Sequence, residues 1–449
     1  MMAQHAKPFP ATNARFMLLL YRLIWTVCLP LVLLYLYLRS RKEPAYFANI
    51  GERFGFHKPR DTSHIWIHAV SLGELRSAAP LITRLLAGSL PVVTTHLTPA
   101  GRHEAERLFP AALADGRLTA CYVPFDYGRA FCRFFRAFRP IYGLVMEVEF
   151  WPGMIVSSHR QGVPLLLCNG QYPSRNFERD QKRFFSRTKV VPGFAGVMVK
   201  SNHQAARFRS LEVQNIAVTG EMRFEQTIPK CQIDAARMLR AEIAGKRPIV
   251  TLASLVAPEE SAAMAMIRDV SEGFSAQGQP KPLFIVVPRA PERFTPMANL
   301  IAANCTSLGL RSQILDDNLA TAAPQQIAEL DILLGDSIGE MYFYLGLCDL
   351  AIVGGGFCYL GSHNISEPLC AGKPVIIGPN DYTIEFPARE AIAQGVCRQM
   401  DWPELTSFLK FEPLQFCSSG EIDSFITKHS GSTEKTLQAI ATFLHSTNR

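Results

Sequence analysis

Short apolar runs alternate with longer amphipathic segments from about residue 62 onward. HIWIHAV (64–70) is followed by LRSAAPLITRLLA (75–87), and PVVTTHL (91–97) is followed by AGRHEAERLF (100–109). A short apolar run bounded by turn residues is typical of a buried strand, and the longer segment is typical of a helix that covers it. This rhythm predicts a parallel sheet covered by helices.

The alternation comes in two series. NIAVTGEMRFE (215–225) closes the first series, and PIVTLAS (248–254) opens the second. Because 449 residues are too many for one ordinary core, two domains are expected. We therefore predict an α/β fold with two doubly wound, Rossmann-like domains at 46–220 and 221–449, the second carrying C-terminal helices. Residues 1–45 form a separate segment.

The most apolar stretch of the chain lies in that first segment. Residues 16–38 read FMLLLYRLIWTVCLPLVLLYLYL, and 23 residues exceed the about 20 that cross a bilayer as a helix. Arg39, Arg41 and Lys42 follow directly, which by the positive-inside rule holds this end in the cytoplasm. We predict a membrane anchor, single-pass or embedded in the interface, with the domains cytoplasmic. A buried core helix is the alternative.

Charge and cysteine usage narrow the class further. The formal net charge is +7, but lysine and arginine are not concentrated as in a nucleic-acid binder, so no nucleic-acid partner is expected. This excess of positive charge suits anionic substrates or an anionic membrane surface. The 11 cysteines include no Cys-x-x-Cys pair, which predicts free thiols in a reducing compartment. No phosphate-loop motif G-x-x-x-x-G-K-[ST] is present, which excludes that class of nucleotide hydrolase.

Carboxylates follow two strands of the first domain. SLGE (71–74) closes the first strand, with Gly73 allowing a tight turn and Glu74 opening a helix at the carboxyl edge of the sheet. An acid there suits either the positive end of a helix or catalysis. Glu147 and Glu149 end another strand, where alternation predicts that both lie on one face. Carboxylates that end an apolar strand are costly unless they are solvated or partnered.

The second domain carries features suited to a nucleotide. Arg289 follows a strand, at a position that suits phosphate or carboxylate binding. The strand DLAIV runs into a glycine triplet that includes Gly355 and Gly356, where bare backbone allows close approach of a ligand. GSHNISEP (361–368) then predicts a helix start that favours a phosphate, with Glu367 placed to accept bonds from ribose hydroxyls.

Eleven motifs occur in order over residues 40–400. They are IGERFG, HAVSLGE, TTHLTPAG, YVPFD, MEVEFWP, VTGEMRF, VPRAPERF, GDSIGEM, GGGF, GSHNISEP and GKPVIIGP. In this order they resemble the 3-deoxy-D-manno-octulosonic acid (Kdo) transferases of lipopolysaccharide synthesis. The resemblance implies a GT-B-type fold, in which two Rossmann-like domains face a cleft behind an N-terminal membrane-anchor helix. The first domain would bind the acceptor and the second the CMP-activated sugar.

The resemblance also implies an activity and its residues. It implies an inverting, metal-independent transfer of Kdo from CMP-Kdo to a lipid A precursor (lipid IVA) at the cell inner membrane, with no cofactor. Glu74 would be the catalytic base, supported by Glu149. The donor-binding residues implied by the motifs are Arg289, Asp336, Gly339, Gly355, Gly356, Asn364 and Glu367.

Two departures from the family pattern leave alternatives open. Where the family reads A-S-[ST]-H-x-G-E-E the chain reads ASLVAPEE (253–260), and Ala290 replaces a usual histidine. One alternative is a paralogous GT-B glycosyltransferase with a different sugar donor or acceptor. A second is a membrane-tethered binding protein without catalysis. A third, disfavoured by the predicted membrane anchor, is a sugar-nucleotide epimerase of the same architecture. The motifs leave undetermined how many Kdo residues are added, the acylation state of the acceptor and the oligomeric state.

Overall fold

The chain folds as two compact units in the computed structural model, which describes residues 9–447 apart from 244–246, 305–306 and 322. The first unit comprises Met1–Gln226 and Gly431–Arg449, and the second comprises Thr227–Ser430. Each unit contains one parallel seven-stranded sheet covered by helices. The predicted fold class is therefore confirmed.

The first unit begins with a long helix and continues with the predicted strand–helix alternation. Its strands are β1 (Ile65–His68), β2 (Val92–His96), β3 (Leu118–Tyr122), β4 (Tyr142–Met146), β5 (Leu165–Gly170), β6 (Gly196–Val199) and β7 (Ile216–Val218). Its helices up to that strand are α1 (Thr12–Ser40), α2 (Ile50–Arg53), α3 (Leu72–Leu86), α4 (Pro99–Leu108), α5 (Pro110–Ala114), α6 (Gly128–Phe138), α7 (Pro152–Arg160), α8 (Ser174–Lys182) and α9 (Asn202–Ser210).

The strand order of the first sheet locates its binding edge. The order is β3-β2-β1-β4-β5-β6-β7, with every neighbouring pair parallel. The chain moves outward from β1 to β3 and then crosses back to β4, so the direction of winding reverses between β1 and β4. In open α/β sheets, ligands bind outside the carboxyl ends of the strands at such a switch point.

The second unit repeats this plan. Its strands are β8 (Ile249–Leu255), β9 (Leu283–Pro288), β10 (Leu308–Leu310), β11 (Ile332–Leu334), β12 (Leu350–Val353), β13 (Val375–Ile377) and β14 (Cys397–Gln399). Its helices are α10 (Lys230–Ile243), α11 (Glu260–Ala276), α12 (Phe294–Asn304), α13 (Arg311–Ile314), α14 (Pro324–Ala328), α15 (Met341–Leu347), α16 (Ser366–Cys370), α17 (Glu385–Ala393), α18 (Trp402–Phe411) and α19 (Ser419–His429). The order β10-β11-β9-β8-β12-β13-β14 places the switch point between β8 and β12.

Three strands that the apolar pattern does not single out lie at sheet edges. They are β3 in the first sheet and β10 and β14 in the second. An edge strand pairs on one side only, and β10 and β14 are three residues long. Such strands need no long apolar run, so hydrophobic periodicity alone does not reveal them.

The final helix returns to the first unit, which differs from the expectation that residues 221–449 form one domain. This helix, α20 (Ser432–Thr447), buries Ala439, Ile440 and Phe443 in the core of the first unit. Gly196 of β6 makes room for it, because a Cβ there would lie 2.4 Å from the Phe443 ring. The apolar side of α20 is thus covered by the first sheet.

The arginine-rich segment 129–140 forms α6, and its phenylalanines are core residues. Phe131, Phe134 and Phe138 are almost fully buried against the first sheet and its helices. The segment therefore presents arginines to solvent and no apolar face to a membrane.

α1 is the helix, among the described residues, that is long and apolar enough to cross a membrane. The qualifying part is Ala14–Ser40, 27 residues with a mean hydropathy of 2.1 and only 11% of its most apolar window buried. Met17, Leu18 and Leu36 are nevertheless buried against the first unit. α1 is thus a candidate anchor that packs one side on the domain.

The described cysteines are free, as predicted. Ten are reduced in the structure, and Cys121, Cys168, Cys348 and Cys397 are buried. Cys305 lies outside the described residues.

Candidate active site

Glu74 lies at the switch point of the first sheet and closes the turn between β1 and α3. Ser71 is the N-cap residue of α3, and its Oγ accepts a hydrogen bond from the Glu74 amide at 3.3 Å. The Glu74 side chain folds back, and its Oε2 accepts a hydrogen bond from the Val70 amide at 2.7 Å. This reciprocal pairing satisfies two amides at the helix start. The interpretation of Glu74 as an acid at the start of a helix is therefore correct, but it does not describe the whole environment of this side chain.

The electrostatics of Glu74 go beyond what a helix cap requires. Its side chain is 9% exposed. Burial raises the pKa of the Glu74 carboxyl well above its ordinary value, and the charges of Glu147 and Glu149 raise it further. The Val70 amide and Arg223 oppose this rise. A carboxylate with a raised proton affinity is suited to accept a proton near neutral pH.

Glu147 lies near Glu74 because of a turn after β4 and not because of strand alternation. The prediction that alternation along the strand places Glu147 and Glu149 on one face is therefore wrong. β4 ends at Met146, and Glu147 adopts a left-handed backbone conformation with φ 57°. Its Oε1 accepts a charge-assisted hydrogen bond from Arg223 and lies 3.9 Å from the Lys200 ammonium. A left-handed residue other than glycine is strained and needs such partners to persist.

Glu149 is held by the neighbouring tryptophan. The Trp151 indole Nε1 donates to Glu149 Oε2 at 2.5 Å, directly before α7 begins at Pro152. Burial raises the pKa of the Glu149 carboxyl, while the Trp151 bond and the charge of Arg187 act to lower it. We refer to Glu74, Glu147 and Glu149 together as the acidic cluster.

A buried ionic network lies beside the acidic cluster. The Lys200 ammonium lies 2.8 Å from Glu221 Oε2, and both side chains are at most 1% exposed. Asn169 Nδ2 donates to Glu221 Oε1 at 2.8 Å, and the Arg223 guanidinium lies 3.6 Å from Glu221. Although burial acts to raise the pKa of the Glu221 carboxyl, Lys200 and Arg223 lower it below its ordinary range.

Sequence reasoning assigned no role to the residues of this network. Asn169 lies at the end of β5, Lys200 follows β6, and Glu221 and Arg223 follow β7. Polar residues at the carboxyl ends of successive parallel strands meet at one sheet edge, and that signal is present in the sequence.

Gly73 is not required by the turn, contrary to expectation. It is the second residue of α3 and is absent from the positions with positive φ. A Cβ at Gly73 would have the Ser71 hydroxyl, 4.0 Å away, as its nearest neighbour. The glycine therefore leaves open space next to Glu74.

In the second unit, a buried glutamate organises the glycine loop. Glu259 follows β8, and its two carboxylate oxygens accept hydrogen bonds from the Gly355 amide at 2.7 Å and the Phe357 amide at 2.9 Å. The side chain is 1% exposed, and burial raises the pKa of its carboxyl against the effect of these amides. Its neighbour Glu260 pairs instead with Arg293, at 2.9 Å to Nε. Sequence reasoning did not single out Glu259.

The glycine triplet is also required by packing within its own unit. A Cβ at Gly355 would lie 2.4 Å from the Gly361 carbonyl oxygen, and Gly355 has φ 90°. A Cβ at Gly356 would lie 2.0 Å from Ser362 Oγ and 3.0 Å from the Gly378 nitrogen. The loop thus packs on the segment that follows it and on the loop after β13.

The predicted helix after the glycine triplet is shorter and begins later than expected. α16 has five residues, and the amide of its first residue, Ser366, donates to Asn364 Oδ1 at 2.9 Å. A helix of little more than one turn has a weak dipole, so it adds little to phosphate binding. Glu367 is half-buried within α16.

Arg289 provides the positive charge near this loop. It is exposed at the carboxyl end of β9, beside β8 in the sheet. Burial, and next the Arg289 charge, lower the pKa of His363 to about 4, so this imidazole is neutral at pH 7. The Arg289 charge therefore acts on His363, which borders the glycine loop at Gly355.

Asp336 and Gly339 lie in the loop after β11. The Asp336 carboxylate accepts hydrogen bonds from the Ser312 amide at 2.8 Å and from its hydroxyl at 2.5 Å. The Gly339 carbonyl accepts a hydrogen bond from Gln232. These hydrogen bonds join the loop to α13 and α10, and β11, which precedes the loop, lies two strands away from β8.

Two family departures in ASLVAPEE, Leu255 and Val256, fall on packing positions, whereas a third, Pro258, is exposed. Leu255 belongs to the hydrophobic core of the second unit, and Val256 is 8% exposed. The side chains of Leu255 and Val256 face the interior, so these two departures change the packing of the core more than they change a surface that could contact the donor.

Two Rossmann-like units, with an acidic cluster at one switch point and a glycine loop at the other, have the architecture of the GT-B fold class. The family model for 3-deoxy-D-manno-octulosonic-acid transferase (kdotransferase) matches residues 48–226. The 3-deoxy-D-manno-octulosonic acid transferase of Bordetella pertussis is 32% identical over 432 residues, which cover 92% of this chain and 96% of that protein. The chain belongs to the 3-deoxy-D-manno-octulosonic acid (Kdo) transferase family, and the resemblance drawn from its motifs is confirmed.

A second relative agrees with this assignment, and two solved structures match the fold alone. The 3-deoxy-D-manno-octulosonic acid transferase of Haemophilus influenzae is 27% identical over 374 residues, covering 82% of this chain and 83% of that protein. A glycosyltransferase from Rickettsia africae ESF-5 matches with a TM-score of 0.54 and 11% identity, over 86% of this chain and 99% of that one. A UDP-GlcNAc 2-epimerase from Methanocaldococcus jannaschii gives the same score and identity over 85% and 99%. These two structures share the fold.

Proposed function

We propose that this protein transfers Kdo from CMP-Kdo to a lipid A precursor (lipid IVA) and inverts the anomeric centre. The observation that carries the proposal is Glu74, a buried carboxylate at the switch point of the first sheet. Its pKa is raised by burial and by Glu147 and Glu149. We infer the transferred sugar, Kdo, from membership of the family. We infer the base from the environment of Glu74, which suits a carboxylate that accepts a proton.

The proposed step is a single displacement. An acceptor hydroxyl has a pKa far above 7, so its attack gains from a base that removes the proton as the new bond forms. The acceptor oxygen bonds to the anomeric carbon, the bond from that carbon to the phosphate oxygen breaks, and CMP leaves with the electron pair. The proton passes to Glu74. One displacement inverts the anomeric centre and requires one base.

The second unit would meet the charge of the leaving CMP. In this proposal Arg289 faces the phosphate, and the loop of Gly355 and Gly356 holds the nucleotide with Asn364 and Glu367. Positive charge placed where negative charge develops stabilises a transition state. Asp336 and Gly339 would support the donor from the loop after β11.

Glu149 and the buried network would act on the base and the acceptor. Glu149 would orient the acceptor from its position beside Trp151. Arg223 and Lys200 would keep the acidic cluster from accumulating uncompensated charge. The proposed reaction uses no cofactor and no metal ion, so protein treated with EDTA is expected to retain its activity.

α1 is proposed to hold the protein on the inner membrane with both units in the cytoplasm. Arg39, Arg41 and Lys42 follow its apolar part and favour that orientation. Membrane fractionation of the full-length protein tests this location, and recovery of the protein in the soluble fraction would contradict it.

The deciding experiment is a transfer assay with mass determination of the product. Purified protein is incubated with CMP-Kdo and lipid IVA, and the mass gain counts the sugars added. Glu74→Gln should abolish transfer, whereas Glu106→Gln, on exposed α4 surface, should not. Transfer from another activated sugar but not from CMP-Kdo would support the paralogue alternative. Lipid binding without transfer by the wild-type protein would support the binding-protein alternative.

A further inference from the structure

α1 is docked on the first unit through a buried carboxylate. The Tyr21 hydroxyl donates to Asp126 Oδ2 at 2.6 Å, and Trp25 Nε1 donates to the Tyr21 oxygen at 2.7 Å. Asp126 also accepts hydrogen bonds from the Gly153 amide at 2.9 Å and the Met154 amide at 2.6 Å. The anchor helix is thereby fastened to the start of α7, directly after the turn that carries Glu149.

A cavity of about 630 Å³ lies between α1 and the body of the first unit. On the α1 side it is lined by Met17, Trp25, Val32 and Leu36. On the domain side, Leu97, Phe125 and Phe185 complete an apolar wall. Its volume lies in the range of about 300–1,000 Å³ that small-molecule pockets occupy. The cavity therefore suits an apolar chain.

Cations at the cavity give this apolar space a charge preference. Arg53 lines it, is 1% exposed, and stacks on the Tyr122 ring at 4.2 Å. One of its terminal nitrogens donates to the Leu97 carbonyl at 2.9 Å, while its Nε has no hydrogen-bond partner among the described residues. Arg39 and Arg187 also line the cavity. An apolar chain attached to an anionic group matches this lining.

One wall residue of the cavity contacts the acidic cluster, and the outer face of α1 is apolar. Trp151 lines the cavity and donates to Glu149. On the opposite side of α1, Leu19, Val27 and Leu31 are each more than 60% exposed. An amphiphile that entered from a membrane along α1 would have its apolar chain in the cavity and its polar end towards Glu149.

We propose that this cavity binds one acyl chain of the anionic lipid acceptor. This inference rests on the proposed function, which supplies a lipid acceptor. The occupant is a chain of the acceptor itself and not a bulk membrane lipid, because the cavity wall includes the residue that holds Glu149.

Matched tryptophan substitutions on α1 test the proposal in full-length protein. Val32→Trp fills the cavity, and Val27→Trp places the same side chain on the exposed face. The readout is the ratio of kcat/KM for lipid IVA to kcat/KM for its deacylated, water-soluble headgroup. Val32→Trp should lower this ratio about tenfold, the loss expected for about two buried methylene groups. Val27→Trp should keep the wild-type ratio. Equal ratios in the two variants would overturn the proposal.

Photo-crosslinking tests occupancy without relying on transfer or on the folding of a variant. Wild-type protein in vesicles receives lipid IVA carrying a diazirine in an acyl chain, and labelled peptides are mapped by mass spectrometry. Labelling of Phe125 and Trp151, reduced by excess lipid IVA but not by excess phosphatidylglycerol, is expected. Labelling confined to the outer face of α1 would overturn the proposal, as would competition by phosphatidylglycerol. Absence of transfer to both acceptors, with labelling at Phe125, would instead refute the proposed function.

Discussion

The Glu74 carboxylate and the Val70 amide lie 2.7 Å apart, so the proposed base also closes the turn in front of its own helix. The hydrogen bond fixes the direction of one carboxylate oxygen. It also lowers the pKa of Glu74, against the larger effect of burial. The Glu74 side chain thus has a structural role beside the chemical role that we propose, and substitution can separate the two.

Glu74→Gln should abolish transfer and stabilise the fold at neutral pH. The glutamine oxygen can still accept the Val70 bond, but it cannot accept a proton, so kcat should fall by about 100- to 10,000-fold. Because the pKa of Glu74 is raised in the folded state, its protonated form contributes stability that is complete below the pKa of an unfolded glutamate. That contribution is lost as the pH rises through the raised pKa.

Denaturant unfolding at about pH 5 and about pH 8 checks the stability part of this prediction. The gain from Glu74→Gln should be larger at the higher pH. Glu106→Gln is the control and should change neither activity nor the pH dependence of unfolding. A Glu74→Gln variant that is less stable at both pH values would contradict the prediction.

Glu147 and Arg223 should shift the pH profile of transfer in opposite directions. The Glu147 charge raises the pKa of Glu74, so Glu147→Gln should move the acid limb of kcat/KM to lower pH. Arg223 lowers that pKa, so Arg223→Met should move the limb to higher pH. Measurements of kcat/KM across the acid pH range check both shifts. Shifts in the same direction would show that another group controls the acid limb.

Lys200→Met should destabilise the first unit strongly. It would leave the Glu221 carboxylate buried without its nearest cation, and breaking a buried ion pair costs about 3–5 kcal/mol. Adding Glu221→Gln should recover part of that loss, because the uncompensated charge disappears while Asn169 keeps an acceptor. Urea unfolding of both single variants and the double variant measures the coupling. Lys182→Met, at an exposed site, is the control.

Glu259→Gln should weaken donor binding. Its two oxygens accept from the Gly355 and Phe357 amides, and a glutamine offers one oxygen and one NH₂ group that would face an amide donor. We expect a higher KM for CMP-Kdo and a loss of about 1–3 kcal/mol of unfolding free energy, the cost of an unsatisfied buried group. Glu260→Gln, which changes the adjacent pair with Arg293, should raise this KM much less. Equal effects of the two variants on CMP binding by calorimetry would contradict this role for Glu259.

Gly73→Ala should separate folding from activity. The position is helical and open, so alanine should stabilise the fold by about 0.5–1 kcal/mol. The added methyl group would narrow the space beside Glu74, so the KM for the acceptor should rise while the KM for CMP-Kdo remains as in the wild type. Lower thermal stability of this variant would show that the turn itself needs glycine.

Local sequence pattern was enough to predict the class of fold and to place the carboxylate that we propose as the base. Interior strands carry long apolar runs, and carboxylates occur in the segments that follow β1 and β4, so Glu74 and Glu149 could be placed near a sheet edge from local pattern alone. Eleven motifs in order then indicated the family. These signals are local because the hydrophobic periodicity of a helix or strand depends only on the residues of that helix or strand.

The contacts between distant segments could not be predicted from local pattern and become visible in the folded chain. Lys200 and Glu221 follow different strands and become partners because β6 and β7 are neighbours in the sheet. Glu259 contacts the glycine loop because β8 lies beside β12. α20 returns to the first unit because Gly196 leaves space for Phe443. Each pairing joins residues far apart in the chain, and their contact depends on strand order, which no local pattern of apolar and polar residues encodes.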